Sequence, residues 1–141
     1  SPFVGNQVCA ACHAEIDTIW QKSRHAHAFA TLEKKSKHFD PECLACHVVG
    51  LNPWEAPENA SAADRKFEGG TGFLSLQTTP HLKNVQCENC HGPARLHLEN
   101  NKIKPANNDP TMSCVICHQG SHSPVFNFET YWPKIKHGRL N

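Results

Sequence analysis

The sequence has no long hydrophobic run, and this limits the kind of protein that it can encode. Its 141 residues are 38% hydrophobic with a mean hydropathy of -0.55, whereas ordinary soluble domains are about 45–50% apolar. No stretch approaches the roughly 20 apolar residues of a transmembrane helix. The length suits one domain. Because apolar side chains are too few to fill an ordinary core, we expect another group to supply part of it.

An excess of charge of one sign is also missing. Lysine and arginine number 14 and aspartate and glutamate 13, so the formal net charge is +1. Proteins that bind nucleic acid usually carry a strongly basic surface, and this balance therefore argues against nucleic-acid binding. Methionine occurs once, at Met112, so a thioether is available as a metal ligand at one position only.

Cysteine is confined to a single pattern, Cys-X-X-Cys-His, which occurs four times and leaves no cysteine for a disulfide. The copies comprise Cys9, Cys12 and His13; Cys43, Cys46 and His47; Cys87, Cys90 and His91; and Cys114, Cys117 and His118. This pattern is the attachment signal for c-type haem. Each thiol adds to one vinyl group of the porphyrin, and the adjacent histidine supplies the proximal imidazole to iron. The sequence therefore predicts four covalently attached haem c groups.

Zinc is the main alternative, because paired Cys-X-X-Cys units also form zinc ribbons. A zinc site, or a redox dithiol, does not require the histidine that follows every second cysteine. The repeated histidine therefore favours haem.

Four haems leave about 35 residues for each ring, too few to surround every haem with its own core. The haems must pack against one another. We predict a mostly α fold: a small, irregular multihaem cytochrome c with short helices and long loops, forming a single tetrahaem domain over residues 1–141. Residues 66–68 and 73–76 flank a glycine-rich turn and could pair as one short β-hairpin.

Local signals predict several helices. Helices are expected to begin at Asn6 or Gln7 with the first motif, to run from Ser23 to about Lys35, to begin at Asp40-Pro41 with the second motif, to run from Gly92-Pro93 to about Asn100, and to cover much of Phe128–Ile135. Ile16, Ile19 and Trp20 form one apolar stripe at helical spacing.

Seven histidines lie outside the motifs and are available as distal iron ligands. They are His25, His27, His38, His81, His97, His122 and His137. Supply exceeds the demand of four irons, which favours bis-histidine, low-spin ligation and low reduction potentials. His25 and His27 are two residues apart, so on a helix they point in opposite directions and cannot both cap one haem.

Several stretches resemble the cytochrome c-554 family of multihaem cytochromes. They are Cys9–His13 with Trp20 and Ser23–Phe29, Cys43–Gly50 with Gly69-Gly70, and Val85–Pro93. The tail Tyr131–His137 resembles related cytochromes of metal-reducing bacteria. The resemblance implies a mostly helical tetrahaem fold with stacked haem pairs that transfers electrons. It also places His25, His97 and His137 where the family has distal ligands.

One departure concerns the fourth iron. The cytochrome that gives the family its name has one five-coordinate haem and no histidine before its third motif, whereas this chain has His81 there. We therefore expect His81 or His27 to be the fourth distal ligand. Related tetrahaem cytochromes polymerise into filaments, and the sequence leaves a homo-oligomer or filament open.

Together these features predict an electron carrier or conduit and not an enzyme. Its partners would be redox proteins, either other cytochromes or a reductase or oxidase. The alternatives are a small nitrogen-oxide or peroxide reductase that uses one five-coordinate haem, and a haem-based sensor module. The start Ser1-Pro2-Phe3 is typical of a mature terminus. Because haem c is attached outside the cytoplasmic membrane, we expect a periplasmic or extracellular protein whose signal peptide has been removed.

Overall fold

The computed structural model describes residues 1–51, 72–105 and 110–138. These ranges contain eight short α-helices: α1 (Asn6–Ala10), α2 (Ala14–Gln21), α3 (Ala28–Lys34), α4 (Pro41–Leu44), α5 (Cys87–His91), α6 (Arg95–Glu99), α7 (Cys114–Cys117) and α8 (Phe128–Tyr131). They also contain 3-10 turns at Arg24–His27, Pro80–Leu82, Pro110–Ser113, Gly120–His122 and Trp132–Lys134. The small, helix-rich and irregular fold predicted from the sequence is thereby confirmed.

Strands are absent from the described ranges, where the extended backbone forms one isolated antiparallel bridge between Val48 and Lys83. Of the predicted hairpin, residues 66–68 lie outside the described residues, and residues 73–76 form no strand. In the same described ranges, no helix combines the length and the apolar character needed to cross a bilayer.

Each Cys-X-X-Cys-His motif begins in a short helix, as the local signals predict for the first and second motifs. The second motif shows why. Pro41 occupies the first turn of α4, where its missing N–H costs nothing, and Asp40 caps the helix by accepting a hydrogen bond from the Glu42 N–H at 3.0 Å. The helix predicted over residues 23–35 is also present, as a 3-10 turn from Arg24 that continues into α3.

One boundary of the predicted helices is wrong. The helix after the third motif begins at Arg95 and not at Pro93, and its N-cap residue Ala94 has a non-helical backbone with φ -111° and ψ 6°. The Ala94 N–H donates to the Glu88 carboxylate at 2.9 Å. In α2, Ile16 and Trp20 of the apolar stripe are half-buried, Ile19 is 39% exposed, and Asp17 is buried.

The apolar core formed by the described residues lies beside the second motif and is small. Its buried side chains are Phe3, Phe29, Leu32, Leu44, Val48, Val49, Phe73 and Leu82. Backbone hydrogen bonds from Val49 N–H to the Leu82 carbonyl (2.9 Å) and from Phe73 N–H to the Val49 carbonyl (2.8 Å) join three segments there. This core therefore fixes the second motif in place.

Helix α5 carries the third motif and is hydrogen-bonded to segments that flank the other three motifs. The Glu88 carboxylate accepts hydrogen bonds from Val4 and Gly5, just before the first motif. The Asn89 amide donates to the Val48 carbonyl, just after the second motif, at 2.8 Å. Ser113, just before the fourth motif, donates from its hydroxyl to the Cys90 carbonyl at 3.1 Å. The third motif is thus bonded to the flanks of the other three.

Candidate haem-binding sites

Three of the four motif histidines lie opposite a histidine from outside the motifs. The ring centroids are 6.4 Å apart for His13 and His97, 6.1 Å for His25 and His118, and 6.0 Å for His91 and His137. Each pair joins residues that are distant in the sequence. His25, His97 and His137 are the three distal ligands that the family resemblance implies.

The separation within each pair fits a metal ion held between the rings. An imidazole nitrogen binds a transition metal at about 2 Å, so two rings on opposite sides of one iron have centroids roughly 6 Å apart. The rings can rotate about that axis, and the interplanar angles of 21°, 44° and 49° are all compatible with it. The residues present therefore fit three six-coordinate haem irons.

Hydrogen bonds at Nδ1 orient four imidazoles, two of motif histidines and two of distal candidates. His47 contacts the Ala28 carbonyl at 2.6 Å, His97 the Ile103 carbonyl at 2.7 Å, His137 the Ile135 carbonyl at 2.9 Å, and His118 the Ser123 hydroxyl at 2.8 Å. A histidine whose Nδ1–H donates to an oxygen keeps the lone pair of Nε2 free for a metal. Two motif histidines and two distal candidates are thus held as ligands require.

Burial favours the neutral form of three of the paired histidines, His25, His91 and His118. Desolvation lowers the pKa of His118 below its ordinary value. Desolvation is also the main cause of the lowered pKa of His25, to which the neighbouring His118 and His47 add. The pKa of His91 is lowered by burial and then by His137 and His13. Neutral imidazole is the form that binds a metal.

Cysteines of different motifs lie against each other. A contact between the Cys9 and Cys87 thiols raises the pKa of Cys9, as burial also does. The same contact lowers the pKa of Cys87 against the opposing effect of burial. The thiol of Cys46 has a lowered pKa because it contacts Cys117.

A third pair of neighbouring cysteines joins the third and fourth motifs. Burial, and then the neighbouring Cys114, raises the pKa of Cys90 to about 11. The first motif therefore adjoins the third, the third adjoins the fourth, and the fourth adjoins the second. Attachment points this close agree with the expectation of closely packed haems.

The two histidines predicted as the fourth distal ligand are both exposed. His27 lines a shallow groove together with Lys22 and Arg24. The His81 carbonyl accepts a hydrogen bond from the Gln86 amide at 2.7 Å. Within the described part of the chain, no ring contact places a second histidine opposite His47.

The remaining two histidines, His38 and His122, differ in their burial. The His38 ring packs against Phe29 and Phe39, and its buried Nδ1 has no hydrogen-bond partner among the described residues. His122 is exposed.

Two residues that the sequence did not single out contribute to the site. Glu88 occupies an X position of the third motif and is 4% exposed; an acidic residue between two haem-binding cysteines was the available signal. Ser123 lies five residues after His118, and no sequence pattern marks it as the partner of that ring.

Comparison with known proteins decides the family. The model of the family described as cytochrome c554 and c-prime matches residues 8–92, more than half of the chain. This chain belongs to the cytochrome c-554 family. Membership implies covalently bound haem c and haem-based electron transfer, and the first three motifs lie inside the matched range.

A curated member of the cytochrome c-554 family gives the same result. Cytochrome c-554 of Nitrosomonas europaea is 28% identical over 110 residues, which cover 67% of this chain and 40% of that relative. The chain therefore spans less than half the length of the curated relative it matches. No solved structure matches the chain.

Proposed function

We propose that this chain is a tetrahaem c-type cytochrome that carries or conducts electrons. The observation that carries the proposal is the set of three histidine pairs at metal-binding separation, each containing one motif histidine. When bound, each haem supplies a one-electron iron couple with no bond made or broken. The chain supplies ligation, burial and spacing.

The residue roles follow from the motifs and the pairs. The eight motif cysteines attach four haem c groups, and His13, His47, His91 and His118 are the proximal ligands. Among the distal ligands, His97 serves the first motif, His137 the third and His25 the fourth. For the second motif, His81 and His27 remain our two proposals. We propose that the protein is an electron carrier and not an enzyme.

The spacing of attachment points supports conduction along the chain of motifs. Thiol neighbours join the first motif to the third, the third to the fourth, and the fourth to the second. Attachment points this close would hold the haems near enough for rapid exchange of electrons. Two of the haems would then lie at the ends of a linear series, where redox partners would meet them.

We propose a periplasmic or extracellular location and redox proteins as partners, either other cytochromes or a reductase or oxidase. A homo-oligomer or filament is a further arrangement that this role permits. Sedimentation at several protein concentrations distinguishes a monomeric carrier from a polymer.

The test of the tetrahaem assignment is the haem content of the mature protein. Intact mass and a pyridine haemochrome assay should give four covalent haems per chain. A double replacement, Cys114→Ala with Cys117→Ala, should remove one haem and leave three. Fewer than four haems in the unmodified protein, or an unchanged haem content in the double variant, would contradict the proposal.

A further inference from the structure

We infer that Ser123 tunes the reduction potential of the haem attached at the fourth motif by accepting a hydrogen bond from His118. The inference rests on the proposed tetrahaem function and concerns one of its four irons. The fourth motif lies beyond residues 8–92, the range that the family model matches, and Ser123 lies further on.

The contact is well defined. The Ser123 hydroxyl oxygen lies 2.8 Å from His118 Nδ1, and both residues are partly buried. The 3-10 turn Gly120–His122 brings the serine back to the ring, with the Ser123 N–H bonded to the Gly120 carbonyl at 3.3 Å.

Ser123 differs in kind from the other Nδ1 partners seen in the described residues. The rings of His47, His97 and His137 are each held by a backbone carbonyl. No substitution removes a backbone carbonyl, whereas the strength of a side-chain acceptor can be changed by one mutation. The fourth motif therefore has an adjustable hydrogen bond at its proximal ligand.

The chemistry follows from the tautomer. If Nε2 binds iron, Nδ1 carries the proton and donates it towards the serine oxygen. An acceptor at Nδ1 increases the electron density of the imidazole and makes Nε2 a stronger donor to the metal. A stronger donor favours the ferric state over the ferrous state, so a better acceptor at residue 123 lowers the potential and a missing acceptor raises it.

The orientation of the His118 ring has independent support. Phe126 stacks on it with ring centroids 4.6 Å apart and planes within 15°, and Tyr131 meets it edge-on at 5.7 Å. Removing the Ser123 hydroxyl should therefore leave the ring in place opposite His25. This separation of packing from hydrogen bonding allows the electronic effect to be measured on its own.

The experiment is a potentiometric titration of the holoprotein, followed optically and resolved into four one-electron steps. The variants are Ser123→Ala, which removes the acceptor, Ser123→Asp, which strengthens it, and Ser123→Thr, which keeps the hydroxyl. Ser121→Ala is the matched control, because Ser121 lies on the same turn and is exposed. Electron paramagnetic resonance of the oxidised proteins reports the ligand field of each low-spin haem.

We expect one step to move to higher potential in Ser123→Ala and the same step to move to lower potential in Ser123→Asp. One low-spin resonance should shift with it. Ser123→Thr and Ser121→Ala should match the unmodified protein. If Ser123→Ala does not accumulate, the difference between Ser123→Asp and Ser123→Thr makes the same test.

Unchanged potentials in both Ser123→Ala and Ser123→Asp would overturn the inference, as would equal movement of all four steps. A haem content below four in the unmodified protein would instead overturn the tetrahaem assignment, so the two failures are distinguishable.

Discussion

At the scale of single residues, Glu88 is the most buried of the described carboxylates. It is 4% exposed, and its two oxygens accept hydrogen bonds from the backbone N–H groups of Val4, Gly5 and Ala94 at 2.9 to 3.1 Å. Charge-assisted bonds of this kind compensate the cost of burying a carboxylate. Glu88 therefore attaches the segment before the first motif to the third motif.

Replacing Glu88 by glutamine should destabilise the holoprotein. The amide nitrogen would face backbone N–H donors, so at least one buried donor would lose its acceptor, at a cost of about 2 kcal/mol in the free energy of unfolding. Guanidinium denaturation followed by far-ultraviolet circular dichroism measures this. Glu33→Gln, at an exposed position of α3, is the control and should change stability by less than about 0.5 kcal/mol. Equal stability of the two variants would contradict the structural role of Glu88.

Replacing a distal histidine should open one iron. In His97→Ala the ring that lies 6.4 Å from His13 is removed, so the ferrous protein should bind one more carbon monoxide per chain than the unmodified protein. The optical difference spectrum after reduction with dithionite measures this. His122→Ala removes an exposed histidine with no ring partner among the described contacts and should gain no carbon monoxide. An identical spectrum in both variants would show that His97 is not a ligand.

At the scale of structural elements, Gly50 controls how the second motif joins the core. Its φ is +74°, and a Cβ there would lie 2.6 Å from the Phe3 ring and 2.7 Å from the Gly72 Cα. Gly120 also has a positive φ, +54°, but a Cβ there meets no atom within 4 Å. Comparing substitutions at the two positions therefore distinguishes backbone strain from steric overlap.

Gly50→Ala should therefore be much more damaging than Gly120→Ala. Strain at positive φ costs about 1 kcal/mol in either variant, and overpacking against Phe3 and Gly72 should bring the loss at Gly50 to at least about 3 kcal/mol. Thermal unfolding of the two holoproteins compares them directly. Similar melting temperatures would show that the core beside the second motif accommodates the added methyl group without loss of stability.

The elements also show where sequence reasoning succeeds. The short helix at Asp40-Pro41 depends on a cap and a proline within one turn, so local rules predict it. The hydrogen bond from the Ala94 N–H, just before α6, to the Glu88 carboxylate is a contact that no local helix rule predicts. His25, His97 and His137 were picked out by family resemblance, but which ring each one faces depends on the fold. The partnership of Ser123 with His118 is likewise a property of the folded chain.

At the scale of the whole molecule, the described part of the polypeptide has little apolar core of its own. Eight buried apolar residues form the cluster beside the second motif, whereas Met112, Leu96 and Val125 are 67%, 63% and 76% exposed. Apolar groups near the fourth motif and α6 lack partners of their own size in the described chain. Haem would supply the missing apolar surface, as the low hydrophobic content of the sequence predicts.

Protein made without haem attachment should therefore not reach the compact state. The small cluster cannot offset the conformational entropy of ordering the chain. Hydrogen exchange of the haem-free chain should show little protection, in contrast to the holoprotein made in a host with c-type maturation. Extensive protection in the haem-free chain would contradict the view that haem completes the core.

The pairs also bear on domain organisation. His13 faces His97, and His25 faces His118, so ring contacts join the first part of the chain to the last. We propose a single domain on this ground, and limited proteolysis of the holoprotein would test it. One resistant fragment is expected, and separate stable halves would contradict it.

The most direct test of the account is the stoichiometry of carbon monoxide binding to the reduced, unmodified holoprotein. Three histidine pairs predict that at least three of the four haems do not bind carbon monoxide, because their sixth positions are filled. At most one haem, the one attached at Cys43 and Cys46, should respond. Binding to two or more haems per chain would contradict the assignment of His25, His97 and His137 as iron ligands and the electron-carrier proposal that rests on it.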